Sequence, residues 1–222
     1  MSNSESVRTR VVVLISGSGS NLQALIDARD HAQLASADLV AVISNRPLAA
    51  GLQRAERAEI KTEVLDHTLF PDRKTFDRQL MQLIDQHQPD LVVLAGYMRI
   101  LSDEFVRHYT GRMLNIHPSL LPKYKGLHTH RRALEAGDTE HGCSIHFVSE
   151  TLDGGPVIIQ AKVNIEAGDS EATLAERVQQ KEHIIYPLVV SWYAQGRLYQ
   201  QDDHAVFDKQ ILHQPLQLDS LT

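Results

Sequence analysis

Apolar and polar positions alternate in blocks along the first half of the chain. Continuous apolar runs predict buried strands at Val11–Ile15, Leu39–Ile43 and Leu91–Ala95, with a short strand at Thr62–Leu65. Apolar residues at helical spacing predict helices from Ser20 or Asn21 onward, over Ala49–Ile60, and from Phe76 to near His87. Strands that alternate with helices imply right-handed βαβ units and a parallel sheet.

The second half of the chain has a different texture. Further strands are predicted at Arg112–Ile116, Cys143–Val148 and Val157–Val163. Helices are predicted at His130–Ala136 and Glu171–Tyr193, the second with a kink at Pro187. The whole pattern predicts an α/β fold class, namely a Rossmann-like, mostly parallel twisted sheet flanked by helices on both faces.

No linker rich in proline, glycine or serine divides the chain into independent parts. We therefore predict a single domain over residues 8–200, with two lobes covering about 8–110 and about 111–200. Residues 201–222 are predicted to form a loose or edge-packed tail.

Composition and charge exclude several classes of protein. The 222 residues include 22 Lys and Arg against 28 Asp and Glu, so the chain lacks the basic surface that non-specific nucleic-acid binding needs. The single cysteine, Cys143, excludes an internal disulfide and a multi-cysteine zinc site. No apolar run is long enough for a signal peptide or a membrane span. We expect a cytoplasmic protein with neither a nucleic-acid nor a membrane partner.

A loop rich in glycine and serine follows the first predicted strand, where residues 16–22 read SGSGSNL. Glycines allow an anion to approach the backbone, and a helix N-terminus adds free N–H donors, so the loop predicts a site for one terminal phosphate. A dinucleotide fingerprint would need glycine in place of Leu22 and an acid after the second strand, where Asn45 and Arg46 stand. The alternative is a tight turn that binds nothing.

Residues 114–122, LNIHPSLLP, carry the strongest chemical signal. Asn115 and His117 would project from the same face of a strand, just before a turn fixed by Pro118. Imidazole titrates near neutral pH, and a side-chain amide can donate to a developing oxyanion. Together they indicate an acyl-type transfer with a tetrahedral intermediate. The alternative is a core histidine that bonds to the backbone.

An acid–base histidine usually needs a carboxylate that orients it. Asp153 lies in residues 152–156, LDGGP, where two glycines and a proline indicate a loop of fixed shape. We predict that Asp153 meets His117, although an aspartate that bonds only its own turn would give the same pattern.

The remaining histidines are weighed as metal ligands and as cleft residues. His128, His130, His141 and His146 give only a weak metal-ligand pattern without a second supporting motif, so we predict no metal. His146 lies in an apolar strand and is predicted to be a further polar group in the same cleft.

Five segments together resemble the phosphoribosylglycinamide formyltransferase family, the folate-dependent enzymes of purine synthesis. They are residues 15–22, 94–101, 114–122, 126–130 and 152–156. The resemblance extends over about residues 10–200 and implies the formyltransferase fold. The chain departs from the family pattern at Lys125, where bacterial members have proline, and at Tyr97, where phenylalanine is frequent.

The resemblance implies transfer of a formyl group from 10-formyltetrahydrofolate, a co-substrate, to the amine of 5-phosphoribosylglycinamide. Tetrahydrofolate and formylglycinamide ribonucleotide would be the products of direct amine attack. The implied catalytic residues are Asn115, His117 and Asp153. The ribonucleotide would contact Gly19, Ser20, Asn21, Gln179 and Glu182. The folate would contact Arg73, Met98, Arg99, Ile100, Leu101 and Asn115.

The two predicted lobes would then divide the work, with phosphate binding in residues 8–110 and folate binding and catalysis in residues 111–200. Both partners would be small molecules, and the chain would be a monomer or a homodimer.

Two other functions stay open at this point. One is a different enzyme of the same fold, such as formyltetrahydrofolate hydrolase or methionyl-tRNA formyltransferase. The other is a non-catalytic nucleotide sensor.

Overall fold

The structure, a computed structural model, describes residues 8–221. Residues 1–7, where no signal peptide is expected, and residue 222 of the predicted tail lie outside the described residues. The strands are β1 (Thr9–Ile15), β2 (Ala37–Ser44), β3 (Thr62–Val64), β4 (Leu91–Leu94), β5 (Met113–His117), β6 (Glu140–Phe147), β7 (Val157–Asn164), β8 (Leu198–Gln201), β9 (His204–Phe207), β10 (Gln210–Ile211) and β11 (Leu216–Gln217). The α-helices are α1 (Ser20–Asp30), α2 (Ala50–Arg57), α3 (Arg73–Asp85), α4 (Asp103–His108), α5 (Thr129–Glu135) and α6 (Glu171–Ala194).

One eight-stranded sheet organises the chain, with the strand order β11-β7-β6-β5-β4-β1-β2-β3. Strands β1 to β5 pair in parallel, and β11 is parallel to β7. Strand β6 is antiparallel to both β5 and β7, so the sheet reverses direction on one side. The prediction of a mostly parallel, Rossmann-like sheet is confirmed.

Two apolar cores lie on the two faces of this sheet because side chains alternate along each strand. In β1, Val11, Val13 and Ile15 pack into the core shared with α1, α2 and α6. Val12 and Leu14 pack into the other core, which is shared with α3 and α4. All five side chains are fully buried. The continuous apolar run is therefore explained by burial on both sides, and the prediction of helices on both faces is confirmed.

Helix α4 and the strands after α6 are not predicted by the apolar pattern. Ser102 caps α4 by accepting a hydrogen bond from the Phe105 N–H at 3.4 Å, and Asp103 and Glu104 occupy the first turn. These are favourable helix-start features, but six residues are too few to show a helical period.

The end of the chain packs against the main domain through regular structure. Strands β8, β9 and β10 form a small antiparallel sheet, and β11 adds an edge strand to the large sheet beside β7. The boundary expected after residue 200 falls inside β8. The division into one domain with two lobes and a tail stays a prediction.

Helix α6 is the longest helix and crosses one face of the sheet. Its capping box is formed by Ser170 and Thr173, and the helix continues through Pro187 to its end. Its buried side chains include Glu182 and Tyr186, and the Tyr186 hydroxyl donates to the backbone carbonyls of Leu94 and Leu114. This contact fixes α6 over the ends of β4 and β5, where the predicted site lies.

Candidate active site

The glycine loop connects β1 to α1 and leaves the start of the helix open. Gly19, not Ser20 or Asn21, occupies the N-cap position, with φ of 72°. A Cβ atom on Gly19 would lie 2.6 Å from the Cα of Gly51, so only glycine allows α2 to pack this closely. Within residues 8–221, no acceptor bonds the backbone N–H groups of Ser20, Asn21 or Leu22. Such groups are the donors that a helix N-terminus offers to an anion.

A cavity of about 250 Å³ opens above this loop. It is lined by Ser16, Gly17, Ser18, Gly19, Ser20, Asn21, Arg46, Ala95, Gly96 and Met98. The cavity thus joins the glycine loop to the carboxyl ends of β2 and β4, which is where ligands bind in open parallel sheets.

A larger groove of about 750 Å³ lies between α1 and α6. It shares Ser20 with the smaller cavity, but none of the three predicted catalytic residues lines either of them.

Two hydrogen bonds connect the start of α1 to α6. The Asn21 amide Nδ2 donates to Glu182 Oε2 at 2.8 Å, and Gln179 Nε2 donates to Ser20 Oγ at 3.1 Å. Burial raises the pKa of the Glu182 carboxyl, while the bond from Asn21 opposes that shift. The structure therefore brings together all four side chains expected around the ribonucleotide, and Gly19, the fifth residue of the set, adjoins them in the loop.

A strip of buried polar side chains crosses β5, β6 and β7. Asn115 pairs with His146, His117 pairs with Ser144, and Ser144 pairs with Gln160 on the next strand. Paired residues project from the same face of a sheet. On the same face of the sheet, β1 carries apolar side chains that pack into a core. The polar side chains of β5, β6 and β7 therefore indicate that this strip has a chemical role.

His146 fixes the orientation of Asn115. Because a carbonyl only accepts, the His146 Nδ1 carries a proton and donates it to Phe147 O at 2.8 Å. Burial lowers the pKa of His146 to about 4, so the ring is neutral near pH 7. Its Nε2 then accepts from Asn115 Nδ2 at 3.1 Å. The second N–H of the Asn115 amide remains for another acceptor.

His117 and Asp153 meet although they are far apart in sequence. The His117 Nδ1 lies 3.5 Å from Asp153 Oδ2, and the His146 Nε2 lies 3.9 Å from Asp153 Oδ1. The other His117 nitrogen, Nε2, donates to the carbonyl of Tyr124 at 2.9 Å. The side chains of His117 and Asp153 are only 7% and 9% exposed. Low exposure strengthens the electrostatic interaction between them.

Asp153 is held by its own loop and by the segment after β5. Its Oδ2 accepts a hydrogen bond from the Gly126 N–H at 2.8 Å, and its φ is 45°. Gly155 packs so closely that an added Cβ would lie 1.9 Å from Phe147 O. The two glycines and the proline of this loop thus hold the aspartate by close backbone contact.

We expect Gly155→Ala to destabilise the fold by about 1–3 kcal/mol, because the methyl group must displace backbone. Urea unfolding measures the change. Gly17→Ala is the matched control, since its added Cβ meets no atom within 4 Å. An unfolding free energy for Gly155→Ala equal to that of the control would contradict the close contact.

The segment after β4 presents apolar side chains to the exterior. Met98 and Ile100 are 60% and 58% exposed, while Leu101 packs partly against the core of α3 and α4. The Arg99 guanidinium lies 4.6 Å from the ring centre of Phe76. An exposed apolar strip beside a polar cleft suits the flat ring system of a folate.

One hydroxyl connects the glycine loop to this segment. Ser16 Oγ accepts from the Met98 N–H at 2.8 Å and donates to Asn45 Oδ1 at 2.6 Å. The ends of β1, β2 and β4 are therefore joined by side-chain hydrogen bonds under the cavity.

Charged groups also lie between residues 98–101 and α3. Buried Asp77 accepts from the Ser102 N–H at 2.6 Å, and burial raises the pKa of this carboxyl. Arg73 begins α3 and is exposed. The buried atoms Asp77 Oδ1, Tyr97 Oη and Arg99 Nε have no hydrogen-bond partner within residues 8–221. Asp77 is not predicted from the sequence, because it lies on the buried face of α3, which is otherwise apolar.

Other histidines lie beside the site. His141 Nε2 and His130 Nδ1 are 3.1 Å apart, and burial, reinforced by the neighbouring His130, lowers the pKa of His141 to about 4. Among the described residues, no group of three or more histidine, cysteine, aspartate or glutamate side chains could hold a metal ion. Nor does any helix in that part of the chain have the length and apolar character needed to cross a membrane.

Several residues of the site carry no obvious sequence signal. Ser144 and Gln160 bond to Ser119 and Leu121 and so hold the segment after β5 over the sheet. Tyr124 contributes only a backbone carbonyl. Ser16 and Asn45 stand directly at strand ends, and this position is a signal that could have found them.

Comparisons with known proteins agree with this geometry. Residues 9–190 match the family model described as formyl transferase. The chain is 58% identical over 202 residues to the phosphoribosylglycinamide formyltransferase of Escherichia coli K12. The aligned residues cover 91% of this chain and 95% of that protein. The solved structure of the phosphoribosylglycinamide formyltransferase of Coxiella burnetii, in complex with CHES, is 50% identical with a TM-score of 0.90, covering 95% of this chain and 99% of that one.

One solved structure of lower sequence identity belongs to a protein that is named as a deformylase. The formyltetrahydrofolate deformylase of Pseudomonas putida KT2440 is 29% identical with a TM-score of 0.79, covering 90% of this chain and 70% of that one. The fold is thus shared, while the identity is higher to the two formyltransferases named above. The resemblance inferred from five sequence segments is confirmed, and the chain belongs to the formyl transferase family, among its phosphoribosylglycinamide formyltransferases.

Proposed function

We propose that the chain transfers a formyl group from 10-formyltetrahydrofolate to the amine of 5-phosphoribosylglycinamide. The observation that carries the proposal is the cluster in which His117 faces Asp153 and His146 connects Asp153 to Asn115. Family membership supports the same reaction. The donor is a co-substrate that leaves as tetrahydrofolate, and no metal takes part.

The reaction begins when the substrate amine attacks the formyl carbon. A new C–N bond forms, and negative charge collects on the formyl oxygen. The second N–H of the Asn115 amide donates to that oxygen, and His117 reaches it by exchanging its Nε2 hydrogen bond to the Tyr124 carbonyl for one to the oxygen. The bond from the formyl carbon to the folate nitrogen then breaks. The amine loses one proton and the folate nitrogen gains one, which His117 can carry.

Asp153 supports the histidine in this scheme. Its carboxylate faces His117 Nδ1 and orients the ring, and the Gly126 N–H holds the carboxylate in place. His146 acts one step further away, because it orients Asn115 and stays neutral.

The ribonucleotide is proposed to bind with its phosphate on the glycine loop. The free N–H groups at the start of α1 and the hydroxyl of Ser20 suit a phosphate monoester. Glu182, bonded to Asn21, suits the ribose hydroxyls, and Gln179 borders the same site. The folate is proposed to lie along Met98–Leu101, with Arg73 and Asn115 as further contacts.

The direct test is an absorbance assay of tetrahydrofolate release. Release that requires the ribonucleotide amine supports transfer. Release without the amine indicates a hydrolase, and no release with either mixture indicates a sensor. The hydrolase alternative is not favoured, because the identity is 58% to a transferase against 29% to the deformylase.

We expect Ser20→Asp to weaken ribonucleotide binding about tenfold or more, because the added carboxylate repels the phosphate. The KM for the ribonucleotide should rise while the KM for the folate changes little. Ser20→Ala is the control for loss of the hydroxyl alone. A rise in the folate KM with an unchanged ribonucleotide KM would show that the loop does not hold the phosphate.

We also propose where the enzyme is located and which kinds of partner it binds. A cytoplasmic location is supported by the single cysteine, Cys143, which is buried and whose thiol pKa is raised by burial. We propose that both partners are small molecules. Analytical ultracentrifugation distinguishes a monomer from a homodimer.

A further inference from the structure

Arg46 is the cationic side chain among the residues that line the glycine-loop cavity. It follows β2, where a dinucleotide-binding protein would carry an acidic residue for ribose hydroxyls. In the same fold, an arginine near this position accommodates a phosphate group in place of a hydroxyl. The residue type therefore points to an anion in the cavity.

The backbone around Arg46 is fixed by side-chain hydrogen bonds. Its N–H donates to Ser44 Oγ at 3.1 Å, and the same hydroxyl donates to the Arg46 carbonyl at 2.8 Å. The preceding residue, Asn45, is buried and accepts from Ser16 Oγ. The turn that carries Arg46 is thus tied to the first residue of the glycine loop, so the backbone at Arg46 is held beside the loop.

The guanidinium of Arg46 is exposed and, within residues 8–221, has no hydrogen bond or ion pair. Arg54, another arginine beside the glycine loop, is already engaged. Its Nε donates to Ser18 O at 2.8 Å, and its Nη1 donates to Gln23 Oε1 at 3.1 Å. Arg54 therefore holds the back of the loop, whereas Arg46 keeps its donors available.

Charge gives a reason for a cation here. A phosphate monoester carries nearly two negative charges at neutral pH. The loop N–H groups and Ser20 are uncharged donors, and the helix end offers only about half a positive charge. Glu182, bonded to Asn21 beside the loop, contributes no positive charge. A guanidinium can form paired hydrogen bonds to a phosphate.

We propose that Arg46 is a phosphate-binding residue that makes the enzyme specific for the phosphorylated form of its amine substrate. The proposal rests on the function proposed above and names a residue outside the set implied by the family resemblance. Arg46 forms charge-assisted hydrogen bonds to the phosphate and touches neither the formyl group nor the amine.

The test compares two substrates, glycinamide ribonucleotide and its dephosphorylated riboside, in the wild type and Arg46→Met. For the ribonucleotide, kcat/KM should fall ~10–100-fold, as expected for loss of charge-assisted hydrogen bonds. For the riboside, kcat/KM should stay unchanged. Arg46→Lys should recover part of the loss. Arg57→Met is the matched control, because Arg57 is exposed on α2 and its replacement changes the net charge equally.

Binding of inorganic phosphate, measured by calorimetry, separates this proposal from the function it rests on. Weaker phosphate binding in Arg46→Met than in Arg57→Met supports Arg46 as the phosphate ligand, even if the wild type fails to turn over the ribonucleotide. Equal loss of kcat/KM with both substrates would overturn the proposal, because the effect would then be structural. Unchanged phosphate binding in Arg46→Met would overturn it as well.

Discussion

Replacing His117 by alanine should lower turnover about 10²–10⁴-fold, the usual contribution of a positioned acid–base group. The variant loses the cation beside the developing oxyanion and the group that carries the proton between the two nitrogens. The KM values should change little, because neither substrate phosphate nor folate ring is bound mainly by His117. Single-turnover rates measure the loss at the chemical step.

His204→Ala is the matched control, since His204 is exposed on β9, which belongs to the small sheet and not to the sheet that contains β5. His117 is buried and bonded to Tyr124, so the Tm of each variant must be measured too. A folded His117→Ala variant with near wild-type turnover would remove the histidine from the mechanism.

Asp153→Asn should lower turnover about 10²–10³-fold with little change of fold, since the charge near the acid–base group is lost. Asparagine keeps the shape of the side chain and an oxygen that can accept from the Gly126 N–H. It removes the negative charge 3.5 Å from His117 Nδ1. The imidazolium that forms during proton transfer then has no counter-charge.

The control for this variant is Asp208→Asn, which breaks an exposed ion pair with Arg197 and should cost at most about 1 kcal/mol of stability. Turnover of Asp153→Asn within a few-fold of the wild type would mean that the aspartate only shapes its loop.

The fold was largely predictable because apolar periodicity is a local property of the chain. The run from Val11 to Ile15 indicates a strand buried on both sides, and β1 packs into both cores. Short elements escaped prediction for the same reason. Helix α4 is capped by Ser102 but spans six residues, fewer than two full turns.

The site was predictable only as separate pieces. Residue types indicated Asn115, His117 and Asp153, and the family resemblance placed them in one site. Their distances depend on how two loops fold over the sheet, which no local pattern encodes. The contribution of His146 depends on burial, which lowers its pKa to about 4, and on pairing with Asn115 across two strands.

The alternation of side chains along β6 has a consequence for how this protein can change in length. Ser144 and His146 point to one face of the sheet, while Cys143 and Ile145 lie in the apolar core on the other. Inserting or deleting a single residue within β6 would exchange these two sets, leaving apolar side chains opposite Asn115 and His117. Insertions and deletions should therefore be tolerated in exposed turns such as residues 202–203 and excluded from this strand.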